Sequence, residues 1–313
     1  MTPVRQLGLT MVELMVALTV GLLVLLLAAG MLISANRGHA AQEDAARLDD
    51  SGRFALETIA RAVRQTAYVN WDRADAGIAY DPTAPARVVG LDNRSLVKTA
   101  DFISDPRPDV ANGSDVLALR FAGAGPGPDG DASMTSCAGF GVSELEEGWS
   151  IFYVGRSATG DTELRCKYRG SSSWGADAIV GGVDSFQVLY GLDTDVPADG
   201  LANLFINATV VEALDDGLAL EGANEAELEL DLRRKTHWKR VASIKVGLVL
   251  HGAKRVRFNA QPIVFDVFGP VYADALGDDD PGTRIGESDM PGSLRERERR
   301  LFSSTIMLRN PPR

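Results

Sequence analysis

The sequence predicts an α+β protein in which one long N-terminal helix, apolar in its first half and amphipathic in its second, packs on an antiparallel β-sheet head. Three observations carry this expectation. Residues 14 to 36 form a run of 23 residues without a charge. No proline occurs between Val4 and Asp81, so nothing forces the helix to stop where the apolar run ends. From residue 115 onward the pattern changes to short runs of β-branched and aromatic residues separated by turn formers.

At 1.5 Å per residue the uncharged run makes a helix of roughly 34 Å, enough to cross a hydrocarbon core of about 30 Å. The reading is a transmembrane segment over residues 9–36. A secretory signal is the competitor, with Arg5 as its basic region and Ala28-Ala29-Gly30 as its small-residue site; the long run and the acid Glu13 at its mouth weigh against it. Over residues 37–67 the helix continues as an amphipathic one. Leu56, Ile59, Ala60, Val63 and Ala67 share one face, while Glu43 with Arg47, Asp49 with Arg53 and Glu57 with Arg61 are acid-first i, i+4 pairs on the other. A single rod from Leu9 to Ala67 would be roughly 90 Å long. The alternative is two helices with a break near Gly38.

The head is expected over residues 68–313. Residues 68 to 113 hold Pro82, Pro85, Pro106 and Pro108 among many Asp, Asn and Gly, and read as a long loop with little regular structure. Strands are expected over 115–121, 149–155, 162–168, 183–190, 242–250, 263–268 and 301–308. Alternation in Ser185-Phe186-Gln187-Val188-Leu189-Tyr190 and Ser243-Ile244-Lys245-Val246-Gly247-Leu248 is that of a half-buried antiparallel sheet. Such a sheet needs a cover, and the apolar helix face between Leu48 and Ala67 supplies one.

The formal charge of −11 opposes binding to nucleic acid or docking on an anionic membrane through a basic patch. Cys137 and Cys166 are the two cysteines; in an exported chain such a pair suggests one disulfide, the alternative being two unpaired thiols.

Glu13 raises a separate question, because a carboxylate at the edge of hydrocarbon is costly without a partner. Gly8-Leu9-Thr10-Met11-Val12-Glu13-Leu14, after a short leader with one basic residue and before a long apolar run, resembles the class III signal of type IV prepilins. That resemblance implies a pilin-like fold and a leader of residues 1–8. It implies cleavage between Gly8 and Leu9 by a prepilin peptidase, which also N-methylates the new terminus at Leu9, where phenylalanine is usual. It also implies that Glu13 serves assembly by meeting a neighbour's Leu9 amine; the alternative is a glutamate that stays wet at the headgroup boundary. Gly52-Arg53-Phe54-Ala55-Leu56-Glu57, the stretch from Val183 to Gly191, His237-Trp238-Lys239-Arg240-Val241 and the closing stretch from Phe302 to Asn310 resemble the PilW family of minor pilins. Residues 192 to 235 match less well and read as an insertion. The family resemblance implies a low-abundance, non-enzymatic subunit without a cofactor. It would be held in the inner membrane by a single span with a periplasmic head, then carried into the pilus filament or its tip. Its implied partners are the peptidase and methylase, other minor pilins, the major pilin and a tip adhesin. The alternatives are a J-like minor pseudopilin of type II secretion and a single-pass membrane-anchored enzyme or receptor.

Other chemistry is sparse. Gly125-Pro126-Gly127-Pro128-Asp129-Gly130 fits G-x-G-x-x-G in letters but lacks the strand-to-helix turn of a pyrophosphate site, and reads as a loop. His39, His237 and His251 are too dispersed to predict a metal cluster. Asp278-Asp279-Asp280 and Asp193-x-Asp195 lack EF-hand spacing and read as solvated acidic loops. Arg295, Arg297, Arg299 and Arg300, interleaved with Glu296 and Glu298, read as a solvated turn before the last strand.

Overall fold

The computed structural model describes residues 10–66, 82–108, 110–170, 172–257 and 261–309. One helix, α1, runs unbroken over Met11–Gln65, about 82 Å at 1.5 Å per residue. The alternative break near Gly38 does not occur: the glycine costs roughly 1 kcal/mol in a helix interior, and the helix-forming residues on both sides absorb it.

The head follows in the order β1 (Val88–Leu91), β2 (Ser95–Leu96), β3 (Pro106–Arg107), β4 (Val116–Ala122), β5 (Glu147–Arg156), β6 (Thr162–Arg169), β7 (Trp174–Gly181), β8 (Val183–Leu192) and β9 (Leu204–Ile206). Then come α2 (Ala208–Asp216), α3 (Glu225–Lys235), β10 (Val241–Arg255), β11 (Val264–Asp266), α4 (Pro270–Leu276), β12 (Arg284–Gly286), α5 (Gly292–Arg295) and β13 (Arg297–Met307). Two large antiparallel sheets form, a five-stranded one ordered β1-β4-β5-β6-β7 and a four-stranded one ordered β13-β10-β8-β9, beside the two-stranded ladders β2-β3 and β11-β12. Every pairing in both is antiparallel.

A shared core joins the helix to both sheets. Leu48, Ala55, Ile59 and Val63 of α1 meet Leu117, Phe152 and Leu164 of the first sheet and Phe186, Ile244, Leu248 and Ile306 of the second. The buried stripe of α1 falls at Asp44, Leu48, Gly52, Ala55, Ile59 and Val63, a spacing of three and four that keeps one face toward the head. Leu56 is only partly buried at the margin of this core, and Ala67 lies outside the described residues.

Several expectations need correction. The stretch read as loop contains β1, whose Val88 to Leu91 pair with Leu119 to Val116 of β4, together with the short β2–β3 ladder. These runs are too short to outweigh the surrounding prolines as a sequence signal. Strand β7 is a further departure; it carries Asp177 and four glycine or alanine positions, and only pairing with β6 makes it a strand. Strand β8 is buried on both faces, not half-buried. Its second face is covered by the segment after α4, where Ser185 donates to the Gly282 carbonyl at 2.8 Å. Of the three helix ion pairs, Glu43–Arg47 forms at 2.7 Å. Asp49 turns instead to Arg300 of β13, and Glu57 reaches Arg64 at 3.7 Å, because cations on the sheet and one turn further on compete with the i+4 partner.

Candidate functional site

The first turn of α1 is organised by Thr10 and Glu13. Thr10 is the N-cap in extended conformation, and its hydroxyl accepts from the Glu13 N–H at 3.3 Å. In return the Glu13 carboxylate accepts from the Thr10 N–H at 2.9 Å and the Thr10 hydroxyl at 2.8 Å. This is a capping box, which satisfies orphan donors at the helix start and places a negative charge at the positive end of the helix dipole. After it, residues 11 to 36 are exposed throughout. The arm is therefore long and apolar enough to cross a membrane, and no part of that apolar stretch is covered by the head. Gly8 and Leu9, the residues expected to flank a cleavage site, lie outside the described residues.

The second half of α1 is fixed to the head by contacts that pattern reading missed. Asp44 is 2 % exposed, and its Oδ1 accepts from the N–H groups of Ala253 and Lys254 at 3.1 and 3.3 Å. That seat exists because Gly252 has no side chain: a Cβ there would fall 1.9 Å from Asp44 Oδ2. One residue earlier, Glu43 pairs with Lys254 at 2.8 Å, and this lysine holds the Glu43 carboxyl below the usual carboxylate range. Gly52 brings the helix against Phe302 of β13, where an added Cβ would sit 2.4 Å from the ring. An aspartate amid an otherwise apolar stripe is a signal only after the stripe has been located.

Cys137 and Cys166 form a disulfide with Cα atoms 5.9 Å apart. It ties the loop before β5 to β6. The run from Arg295 to Arg300 is not a solvated turn: Arg297, Arg299 and Arg300 lie in β13, and the Arg299 side chain is fully buried. Arg299 Nε donates to Asp184 Oδ2 at 2.7 Å and Nη1 reaches Glu287 Oε1 at 3.4 Å. His251 Nδ1 lies 2.9 Å from Asp184 Oδ1, and Arg257 also pairs with Glu287. Thus His251 is a packed histidine in a charge network. His237 pairs with Asp215 at 2.7 Å, and His39 sits on α1, so the three histidines do not come together.

The glycine-proline stretch 125–130 is a loop, as expected; Gly125 and Gly130 take positive φ and the loop folds back through the Asp131 N–H to the Ala124 carbonyl. Of Asp278-Asp279-Asp280 only Asp280 is buried. Asp193 and Asp195 gather with Asp199.

A family model described as PilW, Type IV Pilus-assembly protein W, matches residues 151–310, just over half of the 313 residues. The match begins within β5 and takes in the whole four-stranded sheet. No curated protein and no solved structure matches the chain.

Proposed function

The chain belongs to the PilW family of type IV pilus-assembly proteins, and on that premise we propose that it is a minor pilin that enters the filament through its N-terminal arm. The observation that carries this reading is the uncovered apolar half of α1, continuous with a second half anchored in the head, with an acid in its first turn. A monomer exposing such an arm needs a hydrocarbon environment, and a filament built of neighbouring arms supplies one as well as a bilayer does. Residues 1–8 act as leader, the prepilin peptidase cuts between Gly8 and Leu9, and Leu9 is N-methylated. Among the described residues of the single chain, the Glu13 carboxylate is held by Thr10. In the filament it exchanges that contact for the Leu9 amine of a neighbour, an ion pair that strengthens in low dielectric. The subunit resides in the inner membrane with its head in the periplasm, then joins other minor pilins and the major pilin in a complex that primes assembly and stays at the tip beside an adhesin.

The test compares processed protein in membranes with protein in sheared filaments for Glu13→Ala and Glu13→Gln. Glu13→Ala should leave processing intact and abolish incorporation. Glutamine preserves the capping box but not the charge. Gln behaving like Ala supports the ion pair; wild-type incorporation of either variant refutes it.

A further inference from the structure

Three carboxylates meet where the two sheets and α2 come together. Leu91 of β1 is paired with Val116 of β4, so the next residues outward, Asp92 and Asp115, are brought side by side. Asp280 arrives from the loop after α4, more than 160 residues later in the chain. One oxygen from each lies within 4.8 Å of the other two. Asp115 and Asp280 are each 2 % exposed, and Asp92 is half-buried at the mouth.

Most of the oxygens are held in place. Asp92 accepts from the Ala208 and Thr209 N–H groups at the start of α2, at 3.0 and 2.6 Å. Asp115 accepts from the Asn93 and Val188 N–H groups at 3.1 and 2.9 Å. Asp280 Oδ2 accepts from the Tyr272 hydroxyl at 2.8 Å. The exception is Asp280 Oδ1, which is buried beside the other two acids with no hydrogen-bond partner among the described residues; the Asn207 side chain also faces the Asp280 carboxyl and favours its charged form. Among the described residues, no Lys, Arg or His forms an ion pair with any of the three. Burial, and then repulsion from Asp92 and Asp280, push the Asp115 carboxyl well above the carboxylate range.

Buried like charges at this separation need a proton or a cation between them. The donors are hard oxygens only, which suits calcium or magnesium and not softer metals. A calcium ion with ligands at about 2.3 to 2.6 Å joins oxygens up to about 5 Å apart, and it accepts several carboxylates in irregular geometry, whereas magnesium keeps most of its waters. We propose that Asp92, Asp115 and Asp280 form a calcium site, with Asp280 Oδ1 as one of its ligands, that joins the β1–β4 edge, the start of α2 and the loop after α4. The second acidic group differs in kind. Asp195 and Asp199 are exposed, and Asp193 already accepts from the Asp195 and Gly200 N–H groups, so that loop is complete without an ion.

The experiment uses the full chain in detergent micelles, stripped with chelator. Terbium, excited through Tyr272 at Asp280, should give sensitised emission that calcium displaces, and calcium should raise the melting temperature. Asp92→Asn, at the exposed edge of the site and least damaging to the fold, should weaken both responses at least tenfold, while Asp199→Asn should leave both unchanged. The proposal is overturned by a wild-type melting temperature indifferent to calcium up to about 10 mM, beyond the weakest range of protein calcium sites. Stabilisation by acid alone, showing that the three acids share protons, overturns it too, as does loss of the responses in Asp199→Asn with retention in Asp92→Asn.

Discussion

Arg299→Met removes a cation whose side chain is fully buried while keeping a similar volume. In the wild type it donates to Asp184 at 2.7 Å, to the Leu294 carbonyl at 2.8 Å and to the Arg297 carbonyl at 3.3 Å, and approaches Glu287 at 3.4 Å. Methionine satisfies none of these acceptors. Asp184 is left with His251, and Glu287 with Arg257, each in surroundings dry enough that a lost partner is not replaced by bulk water. Removing one member of such a buried pair costs about 3 to 5 kcal/mol. At about 2 to 4 °C per kcal/mol for a domain of this size, the melting temperature should fall by about 6 to 20 °C. The assay is a near-ultraviolet circular dichroism melt of the full chain in micelles. A companion variant, Asp184→Asn with Arg299→Met, should lose less than the sum of its two single variants, since one unpaired charge is removed with the other. A loss below about 1 kcal/mol, the range of exposed pairs, would show that water reaches this network and that the reasoning is wrong.

Gly52→Ala should destabilise the head by about 1 kcal/mol even though alanine is the better helix former, because crowding of Phe302 outweighs the propensity gain of roughly 1 kcal/mol; in a Phe302→Ala background the same change should stabilise, and a stabilising effect in the wild type would refute the close approach. Reduction of Cys137–Cys166, separated by 29 positions, should cost about 3.5 kcal/mol in the chain-entropy model, seen as a lower urea midpoint under reductant; an unchanged midpoint refutes it. Lys167 is enclosed, with its ammonium on the Val97 and Phe102 carbonyls at 3.1 and 2.6 Å, and burial lowers its pKa to about 8. Since this lies below the unfolded value of about 10.4, the unfolded chain binds more protons between the two, and stability should rise with pH across that window. Urea midpoints of wild type minus Lys167→Met, taken at about pH 7.5 and about pH 10, should increase, and a flat difference would contradict this.

Local pattern was sufficient for the long helix, for most strands of the two sheets and for the α+β class, whereas the Cys137–Cys166 bond was one of two outcomes it allowed and the fold decided it. The helix, the strands and the class depend on periodicity or on residues whose chemistry points one way: an uncharged run of 23 residues has few fates, and alternation over six residues specifies a strand whatever lies opposite. The proposed leader, the proposed processing at Leu9 and the proposed assembly role of Glu13 rest on a short motif, not on packing, and what the fold adds at Glu13 is the capping box with Thr10. Tertiary structure alone decided the rest. Charged residues in Arg297–Met307 looked solvated because sequence gives a charge its cost but not its partners; Asp184 and Glu287, which make burial of Arg299 tolerable, come from other parts of the chain. Asp44 gave no signal because its worth lies in two N–H groups some 210 residues away and in a glycine that leaves room for it. Asp92, Asp115 and Asp280 show the same limit: each stands beside polar neighbours in the sequence, and only the register of β1 on β4, with a loop folded over their ends, turns three ordinary acids into one buried cluster.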